Sequence, residues 1–252
     1  MKAMILAAGL GTRLLPITNY MPKALVVVDG KPLLQHALEH VKRYGIRDVI
    51  INVHHFPEKI LEFLRLNDNL GMTITISDES DELLETGGGV KKASWFFRDV
   101  EPFVVRNVDI LSDLDLNKMM RFHRYESPLA TLAVRERETS RYFLFDKKNT
   151  LYGWENRKTG EQRISREGDD IRSLAFSGIQ ILHPDIFSWM TESGKFSLTD
   201  LYIRLASDHL IKGFVDTSPV WEDIGKLKPQ VPSPKSQVPS PKTQVPKPKT
   251  QI

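Results

Sequence analysis

Two glycines and two basic residues lie close together near the start of the chain. Gly9 and Gly11 follow an apolar run at 3–7, and Arg13 and Lys23 come soon after them. Glycine lets backbone amides approach phosphate oxygens closely. A guanidinium and an ammonium can neutralise charge that develops at a phosphorus atom. The segment therefore has the groups needed to bind a triphosphate.

Two well-known phosphate-binding motifs do not fit this segment. A dinucleotide fingerprint needs a third glycine where the chain has Leu14, and a P-loop needs a Gly-Lys-Ser/Thr sequence that the segment lacks. Two glycines alone would also suit a simple tight turn. The basic residues, with Pro22 stiffening the approach to Lys23, favour phosphate binding over that alternative.

A carboxylate follows a later apolar run. Asp109 lies just past the run at 102–106, which is typical of a buried strand. In a parallel sheet the end of such a strand opens onto the edge where ligands bind. A short carboxylate there suits a magnesium ion that bridges substrate phosphates. The nearby Asp113 and Asp115 are predicted to be capping or surface groups.

Short apolar runs and helical patterns alternate along the chain and would position these groups. They predict strands at 3–7, 48–53, 72–77 and 102–106, and helices at 57–66, at 90–97 and from Pro32 onwards. This order predicts an α/β fold with a mostly parallel central sheet and helices on both faces. The second half predicts a mixed sheet, with strands at 129–135, 142–145, 151–154 and 174–182, helices at 184–190 and 198–209, and extended pieces at 211–216 and 220–221.

Composition excludes several classes of protein. The chain has 252 residues and no cysteine, which rules out disulfides, thiolate zinc sites and cysteine nucleophiles. The absence of cysteine also fits a reducing cytoplasm, which is the expected location. No apolar run is long enough to cross a bilayer, so no membrane contact is expected. The net charge of +3 includes six lysines and no acid after Gly225, which leaves −3 for the rest. A nucleic-acid partner is therefore not expected.

The C-terminal segment differs from everything before it. Residues 230–250 repeat a seven-residue unit with two prolines per unit and valine as its one apolar residue. Such a segment can form neither a helix nor a core. We therefore predict a domain at 1–228 and a disordered, Pro-rich and Lys-rich tail at 229–252.

The segment at 6–25 is similar to the signature of a known family. It reads L-A-A-G-L-G-T-R-L-x-P-x-T-x-x-x-P-K-A-L and resembles the signature of the sugar-nucleotide pyrophosphorylases, or sugar-1-phosphate nucleotidyltransferases. The resemblance implies a Rossmann-like nucleotidyltransferase fold whose mixed half binds the sugar. It also implies magnesium-dependent transfer of a nucleotidyl group from a nucleoside triphosphate to a sugar 1-phosphate, with release of pyrophosphate.

The resemblance also assigns roles to individual residues. Arg13 would steady the leaving pyrophosphate and Lys23 would neutralise the α-phosphate. Asp109 would hold magnesium together with Asp223, which lies in a W-x-D-I-G segment at 221–225 that resembles a late segment of the family. Val108 stands where the family usually has glycine, which could narrow the site or tilt Asp109. The nucleotide-binding residues implied for the first half are Leu6, Ala7, Ala8, Gly9, Gly11, Thr12, Arg13 and Asn107.

Base and sugar recognition are implied by two further segments. In L-E-T-G-G-G at 84–89, Glu85 and Thr86 could bond a base or ribose, and Gly87 and Gly88 would let a flat heterocycle lie against the backbone. The segment at 176–184 resembles one that places Ser177 and Gly178 near the sugar. These features match a short branch of the family that includes the N-acetylmuramate α-1-phosphate uridylyltransferases, and they favour UTP.

One residue assignment and two alternative functions remain open at this point. The family's usual sugar-phosphate lysine lies in an E-K-P triplet that this chain lacks, and Lys158 is the residue in the corresponding interval. The enzyme could be a guanylyl-, thymidylyl- or cytidylyltransferase instead. It could also be a non-catalytic sugar-nucleotide-binding regulatory module on the same scaffold. The sequence does not specify an oligomeric state.

Overall fold

The fold comes from a computed structural model, which describes residues 1–98 and 101–226. The predicted tail at 229–252 lies outside these residues. The first half contains β1 (Lys2–Leu6), β2 (Val27–Val28), β3 (Lys31–Pro32), α1 (Leu33–Arg43), β4 (Asp48–Val53), α2 (Pro57–Leu66), β5 (Thr73–Asp78), α3 (Glu85–Lys92) and β6 (Phe103–Asn107). The second half contains β7 (Ile110–Ser112), α4 (Leu116–Glu126), β8 (Ala130–Arg135), β9 (Arg141–Phe145), β10 (Leu151–Asn156), β11 (Glu161–Ile164), β12 (Arg172–Leu182), α5 (Leu198–Leu205), β13 (Ile211–Val215) and β14 (Trp221–Asp223).

Four parallel strands form the first half of the central sheet. Their spatial order is β6-β1-β4-β5, and each strand is parallel to its neighbours in this order. Parallel neighbours need a crossover connection, which helices α1, α2 and α3 provide. The carboxyl ends of β1, β4 and β6 therefore meet at one edge, and the segments that follow these strands carry the predicted phosphate and metal residues.

The second half extends this sheet with mostly antiparallel strands. β12 pairs antiparallel with β6 and with β8 and β9, and β9, β10 and β11 continue outwards. β13 adds to β8 in parallel. The predicted fold class, a mostly parallel central sheet joined to a mixed half, is confirmed.

The core lies on both faces of the sheet because successive side chains of a strand point in opposite directions. Ala3 and Ile5 of β1 pack into the apolar layer that includes α1, α2 and α4, while Met4 packs into the layer that includes α3 and α5. None of these three side chains is exposed. The predicted placement of helices on both faces is therefore confirmed.

Local sequence explains where several elements begin and end. Pro57 starts α2, and Gly45, with φ of 79°, follows α1 and donates its amide to the Lys42 carbonyl at 3.0 Å. Asp115 caps α4 by accepting a hydrogen bond from the Lys118 amide at 2.9 Å, which confirms its predicted capping role.

The sequence patterns missed several elements, β7, β11 and α4 among them, and misjudged others. β7 is only three residues long, β11 is an exposed strand without apolar alternation, and the apolar positions of α4 are separated by basic residues. The helix expected at 90–97 begins earlier, at Glu85, because its glycines are part of the helix and not its entry. The helix expected at 184–190 is a 3-10 segment, Pro184–Trp189, and α5 ends at Leu205.

Candidate active site

A cavity of about 360 Å³ lies at the carboxyl edge of the parallel strands. We call it the loop cavity, because its wall includes the glycine loop that follows β1. Seven of the predicted nucleotide-binding residues line it: Leu6, Ala8, Gly9, Arg13, Glu85, Thr86 and Asn107. The catalytic lysine and one metal ligand implied by the resemblance, Lys23 and Asp109, line it as well.

The glycine loop is held in place by polar contacts with the neighbouring strands. The Ala7 amide donates to Asn52 Oδ1 at 2.7 Å, and Asn52 Nδ2 donates to Glu79 Oε1 at 2.8 Å. Burial raises the pKa of Glu79. Ala7, predicted to bind nucleotide, thus has its amide committed to Asn52 and does not line the cavity. Its side chain is buried, and the residue serves as an anchor of the loop.

Two more loop residues predicted to bind nucleotide lie outside the cavity wall. Gly11 has φ of 64°, and a Cβ built there would lie 2.8 Å from Thr18 Cγ2 and 2.9 Å from Lys23 Cβ. Glycine is therefore needed at this position to turn the backbone past Lys23. Thr12 begins the 3-10 turn Thr12–Leu14 and is exposed at the surface of the loop.

Three charged side chains converge at one point beside the loop. Lys23 Nζ forms an ion pair with Asp109 Oδ2, and the Asp109 residue is only 7% exposed. A Cβ built on Gly225 would lie 2.7 Å from Asp109 Oδ2 and 3.0 Å from both Arg13 Nη2 and Lys23 Nζ. Residues more than 200 positions apart in the chain thus meet here, and the two cations and the carboxylate face the same small volume.

The turn that carries Asp109 is supported by a buried arginine. Arg106 donates from Nη2 to the Ile110 carbonyl and from Nη1 to His40 Nδ1, the latter at 2.6 Å. His40 Nε2 contacts the Leu114 carbonyl at 2.9 Å. Burial, with the charge of Arg106, lowers the pKa of His40 to about 3. His40 is therefore neutral and can accept from the guanidinium while donating to the carbonyl.

Val108 is accommodated without disturbing this turn. Its side chain is 3% exposed and packs into the apolar layer with α1, and its amide donates to the Leu6 carbonyl at 3.1 Å. Its φ is not in the left-handed region. The absence of the family's glycine therefore places no strain on the backbone next to Asp109.

The second predicted metal ligand, Asp223, lies on the strand next to the Asp109 turn. β14 pairs antiparallel with β7, with Asp223 opposite Ile110, and the Ile224 amide donates to the Asp109 carbonyl at 3.0 Å. The structure thus brings the two aspartate backbones together. Asp109 lines the loop cavity, however, whereas Asp223 lines a second cavity.

The glycines of α3 have a different role from the predicted one. A Cβ built on Gly87 would lie 2.4 Å from the Phe196 ring, and one on Gly88 would lie 2.3 Å from the Gly194 carbonyl oxygen. Gly87 and Gly88 are buried and do not line the loop cavity. They let α3 pack against the segment before α5.

The second cavity has a volume of about 200 Å³ and shares Asn107 with the first. We call it the arginine cavity, because Arg137 and Arg141 line it. The remaining wall is largely aromatic and is formed by Tyr142, Phe143, Trp154, Phe176 and Trp221. Basic groups and flat rings side by side suit an anionic ligand with a carbohydrate body.

The predicted sugar-binding residues are distributed unevenly around this cavity. Gly178 lines it with φ of 78°, and a Cβ there would meet Ile110 Cγ1 at 2.5 Å. Ser177 lies just behind the wall: its side chain is buried, and its carbonyl accepts a 2.9 Å hydrogen bond from Trp221 Nε1. Lys158 is exposed in the turn between β10 and β11 and lines neither cavity.

Sequence reasoning missed several residues of the two walls, among them the polar residues Asn52, Arg137 and Arg141. Asn52 is a polar residue near the end of a largely apolar strand, and a polar residue at such a position is a signal that could have identified it as part of the site. Arg137 and Arg141 gave no signal, because arginines between two strands usually belong to a solvated surface.

The fold and this site match a known family. A family model described as Nucleotidyl transferase matches residues 2–230. The chain therefore belongs to the nucleotidyl transferase family.

Several relatives are named for related transferase activities. N-acetylmuramate alpha-1-phosphate uridylyltransferase from Caulobacter vibrioides is 34% identical, covering 88% of this chain and 91% of the relative. UTP–glucose-1-phosphate uridylyltransferase from Synechocystis sp. is 31% identical, covering 90% of this chain and 61% of the relative. A probable mannose-1-phosphate guanylyltransferase 2 from Oryza sativa is also 31% identical. The chain spans about three fifths of the length of the latter two relatives.

Solved structures share the fold at lower sequence identity. HddC from Yersinia pseudotuberculosis, complexed with GMP-PN, has a TM-score of 0.72 at 23% identity and covers 89% of this chain and 93% of that one. UDP-glucose pyrophosphorylase complexed with UDP-glucose has a TM-score of 0.70 at 21% identity, with the same coverage. Among the residues described for the present chain, no helix has both the length and the apolar character to cross a membrane.

Proposed function

We propose that this protein transfers a nucleotidyl group from a nucleoside triphosphate to a sugar 1-phosphate and releases pyrophosphate. The observation that carries the proposal is the convergence of Arg13, Lys23 and Asp109 at one point beside the glycine loop. A protein that merely senses a sugar nucleotide has little need for two cations and a buried carboxylate at the phosphates. The relatives are named as uridylyltransferases and guanylyltransferases, which supports the same reaction class.

The two cavities divide the substrates between them. The triphosphate would bind in the loop cavity, with its phosphates beside the glycine loop, Arg13 and Lys23. The sugar 1-phosphate would bind in the arginine cavity, and the two substrates would meet near Asn107, which both cavities share. An oxygen of the sugar phosphate then attacks the α-phosphorus in line, and pyrophosphate leaves from the opposite side.

The chain's contribution to this step is positioning and charge neutralisation. Arg13 would stabilise the leaving pyrophosphate, and Lys23 would neutralise the α-phosphate as charge accumulates there. Lys23 is paired with Asp109 in this structure. A bound triphosphate would therefore compete with Asp109 for the ammonium.

The donor set near Asp109 fits magnesium. Asp109 and Asp223 lie on adjacent segments and would supply carboxylate oxygens from the two cavities, with Asp109 released from Lys23, and the described residues contain no larger convergent group of acidic or histidine side chains. Magnesium is often held by one or two carboxylates, with waters and substrate phosphates completing its shell. We propose that these two aspartates hold the ion, which would supply positive charge to the phosphate oxygens.

UTP is the nucleotide we favour, and N-acetylmuramate 1-phosphate is one acceptor to test first. The relative with 34% identity has a uridylyltransferase name, and this chain covers 91% of its length. Relatives that are named guanylyltransferases keep GTP as the second candidate. The proposed location is the cytoplasm, where nucleoside triphosphates are made, and neither a nucleic acid nor a membrane is a proposed partner.

The proposal is tested by measuring pyrophosphate release for pairs of nucleoside triphosphates and sugar 1-phosphates. UTP, GTP, dTTP and CTP would each be combined with N-acetylmuramate, glucose and mannose 1-phosphate, with magnesium or with a chelator. We expect turnover with at least one pair, lost with the chelator and greatly reduced in Asp109→Asn. Binding of nucleotide without pyrophosphate release from any pair would instead support the non-catalytic alternative.

A further inference from the structure

We infer that Arg137 and Arg141 bind the phosphate of the acceptor sugar and take the place of the lysine that the sequence was expected to supply at position 158. The inference rests on the proposed function, because it concerns the second substrate of that reaction. It is carried by the charge, the packing and the location of these two side chains.

The first argument is the charge on the wall of the arginine cavity. The two guanidiniums face one carboxylate there, Asp223, so the wall has an excess of positive charge. In the loop cavity, by contrast, the cations Arg13 and Lys23 are balanced by the acids Glu85 and Asp109. An anionic ligand is thus favoured in the arginine cavity before any other substrate is bound.

The second argument is the availability of the two guanidiniums. Arg141 is exposed at the start of β9, and its side chain makes no hydrogen bond or ion pair with any part of the chain that the structure describes. Arg137 donates from Nη2 to the Phe176 carbonyl at 2.9 Å and from Nη1 to the Glu138 carbonyl at 3.5 Å, which leaves three of its five N–H groups, while its buried Nε has no hydrogen-bond partner within residues 1–98 and 101–226. Both side chains therefore keep donors for a ligand.

Arg137 is also held in a fixed orientation. Its guanidinium lies 4.3 Å from the centre of the Trp221 ring, and that ring is itself anchored through Nε1 to the Ser177 carbonyl. Burial lowers the pKa of Arg137, although Asp223 opposes the shift. A partly desolvated guanidinium gains more from a bound anion than a solvated one, and its flat fork matches the oxygens of a phosphate.

The third argument is location. The acceptor phosphate must lie next to the triphosphate, and Asn107 is the wall residue common to both cavities. Gly178, in the wall of the arginine cavity, lies next to this residue, since a Cβ built on Gly178 would lie 3.4 Å from Asn107 Nδ2. Lys158, in contrast, lies in an exposed turn outside both walls. The arginines are therefore better placed than Lys158 to position the attacking phosphate.

The experiment compares steady-state kinetics of the full-length protein with Arg141→Gln, Arg141→Lys and Arg137→Lys, using the most active substrate pair. Loss of a charge-assisted hydrogen bond corresponds to roughly a 10- to 100-fold weaker interaction. We expect the KM for the sugar 1-phosphate to rise at least about tenfold in Arg141→Gln. The KM for the nucleotide should stay within about twofold, and Arg141→Lys should recover part of the loss.

Arg172→Gln is the matched control, because Arg172 is an exposed arginine at the start of β12 that contacts Asn149 and lines neither cavity. Thermal unfolding of each variant separates a folding defect from weaker binding. Arg141 is exposed, so its variants should unfold like the wild type. An unchanged acceptor KM in Arg141→Gln, or equal rises for acceptor and nucleotide, would overturn the inference.

A direct binding measurement separates this inference from the proposed reaction. Glucose 1-phosphate, N-acetylmuramate 1-phosphate and mannose 1-phosphate would be titrated into the wild type and Arg141→Gln by calorimetry, with glucose as the uncharged comparison. Phosphate-dependent binding that weakens about tenfold in Arg141→Gln supports the inference even if no pair releases pyrophosphate. Absence of binding to the wild type, or equal binding to both proteins, contradicts it.

Discussion

The loop cavity and the arginine cavity adjoin at Asn107 but hold their charged groups in different ways. In the loop cavity, Lys23 is paired with Asp109 and the backbone is constrained by Gly11. In the arginine cavity, Arg137 lies over Trp221, and Arg141 is exposed without an acidic partner among the described residues. The first is preassembled by backbone geometry, and the second depends on two side chains, one from the β8–β9 connection and one from the start of β9.

The two cavities should therefore differ in how easily their ligand-binding residues are replaced during evolution. Moving a phosphate-binding backbone requires several coordinated changes, because its amides, glycines and anchoring contacts depend on one another. Arg137 in the β8–β9 connection and Arg141 at the start of β9 can each change alone.

The largest expected effect is at the ion pair of the loop cavity. Lys23→Ala should lower turnover at saturating substrates by about 10²–10³, because it removes one electrostatic donor to the reacting phosphate. Circular dichroism would check that the fold is retained. Lys31→Ala is the control, since Lys31 also forms an ion pair, with Glu39 at 2.7 Å, but on the surface of α1. Wild-type turnover in Lys23→Ala would refute the assigned role.

The second prediction contrasts two glycines near the loop cavity. Gly88→Ala should lower the free energy of unfolding by about 1–3 kcal/mol, because the new methyl group would clash with the Gly194 carbonyl. Gly9 has no atom within 4 Å of its built Cβ. Gly9→Ala should therefore unfold like the wild type while losing activity, because the methyl group would occupy space needed by phosphate. Chemical denaturation and pyrophosphate release measure the two effects.

These two glycines also show what the sequence could and could not predict. The signature at 6–25 and the patterns at 48–53 and 57–66 identified the loop and its supporting elements, because glycine, proline and apolar periodicity act locally. The same reasoning assigned Gly88 to ligand binding, since the clash that excludes a side chain there involves Gly194, over 100 residues away. Local sequence patterns therefore indicate that a position requires glycine, but they do not identify the neighbouring residue that would clash with a side chain there.

The two arginines show the opposite case, in which no local pattern indicated a role. Arg137 and Arg141 lie in a polar stretch that predicts a solvated connection, and nothing local distinguishes them from Lys158. Their role follows from the pairing of β12 with β8 and β9, which brings Phe176 and Gly178 beside them. The residues of the arginine cavity therefore could be identified only once the strand pairing was known.

The third prediction concerns pH and the turn beneath Asp109. His40 has a folded-state pKa of about 3, below its ordinary value of 6.5, so the unfolded chain takes up a proton first as pH falls. Its neutral form stabilises the fold fully above pH 6.5, and this contribution is lost progressively between pH 6.5 and 3. From pH 7 to 5 the loss should be about 2 kcal/mol from this residue.

Denaturant unfolding at both pH values tests this expectation against a variant. His40→Gln retains a donor and an acceptor for Leu114 and Arg106 but cannot titrate, so it should show a smaller pH dependence than the wild type. Burial also lowers the pKa of His123 to about 4, so part of the dependence should remain in His40→Gln. An identical pH dependence in the two proteins would contradict a neutral, buried His40.

The smallest expected effect is at Lys158, and it decides how the acceptor site is defined. Because this side chain is exposed in the β10–β11 turn and lines neither cavity, Lys158→Gln should change the KM for the sugar 1-phosphate by less than about twofold, within the range of ordinary surface substitutions. Arg141→Gln, measured in the same assay, is expected to raise it far more. If Lys158→Gln instead produced the larger rise, the turn would have to close over the acceptor during the reaction. The acceptor phosphate would then be bound from the far side of the arginine cavity, and the contrast between the two cavities would not hold.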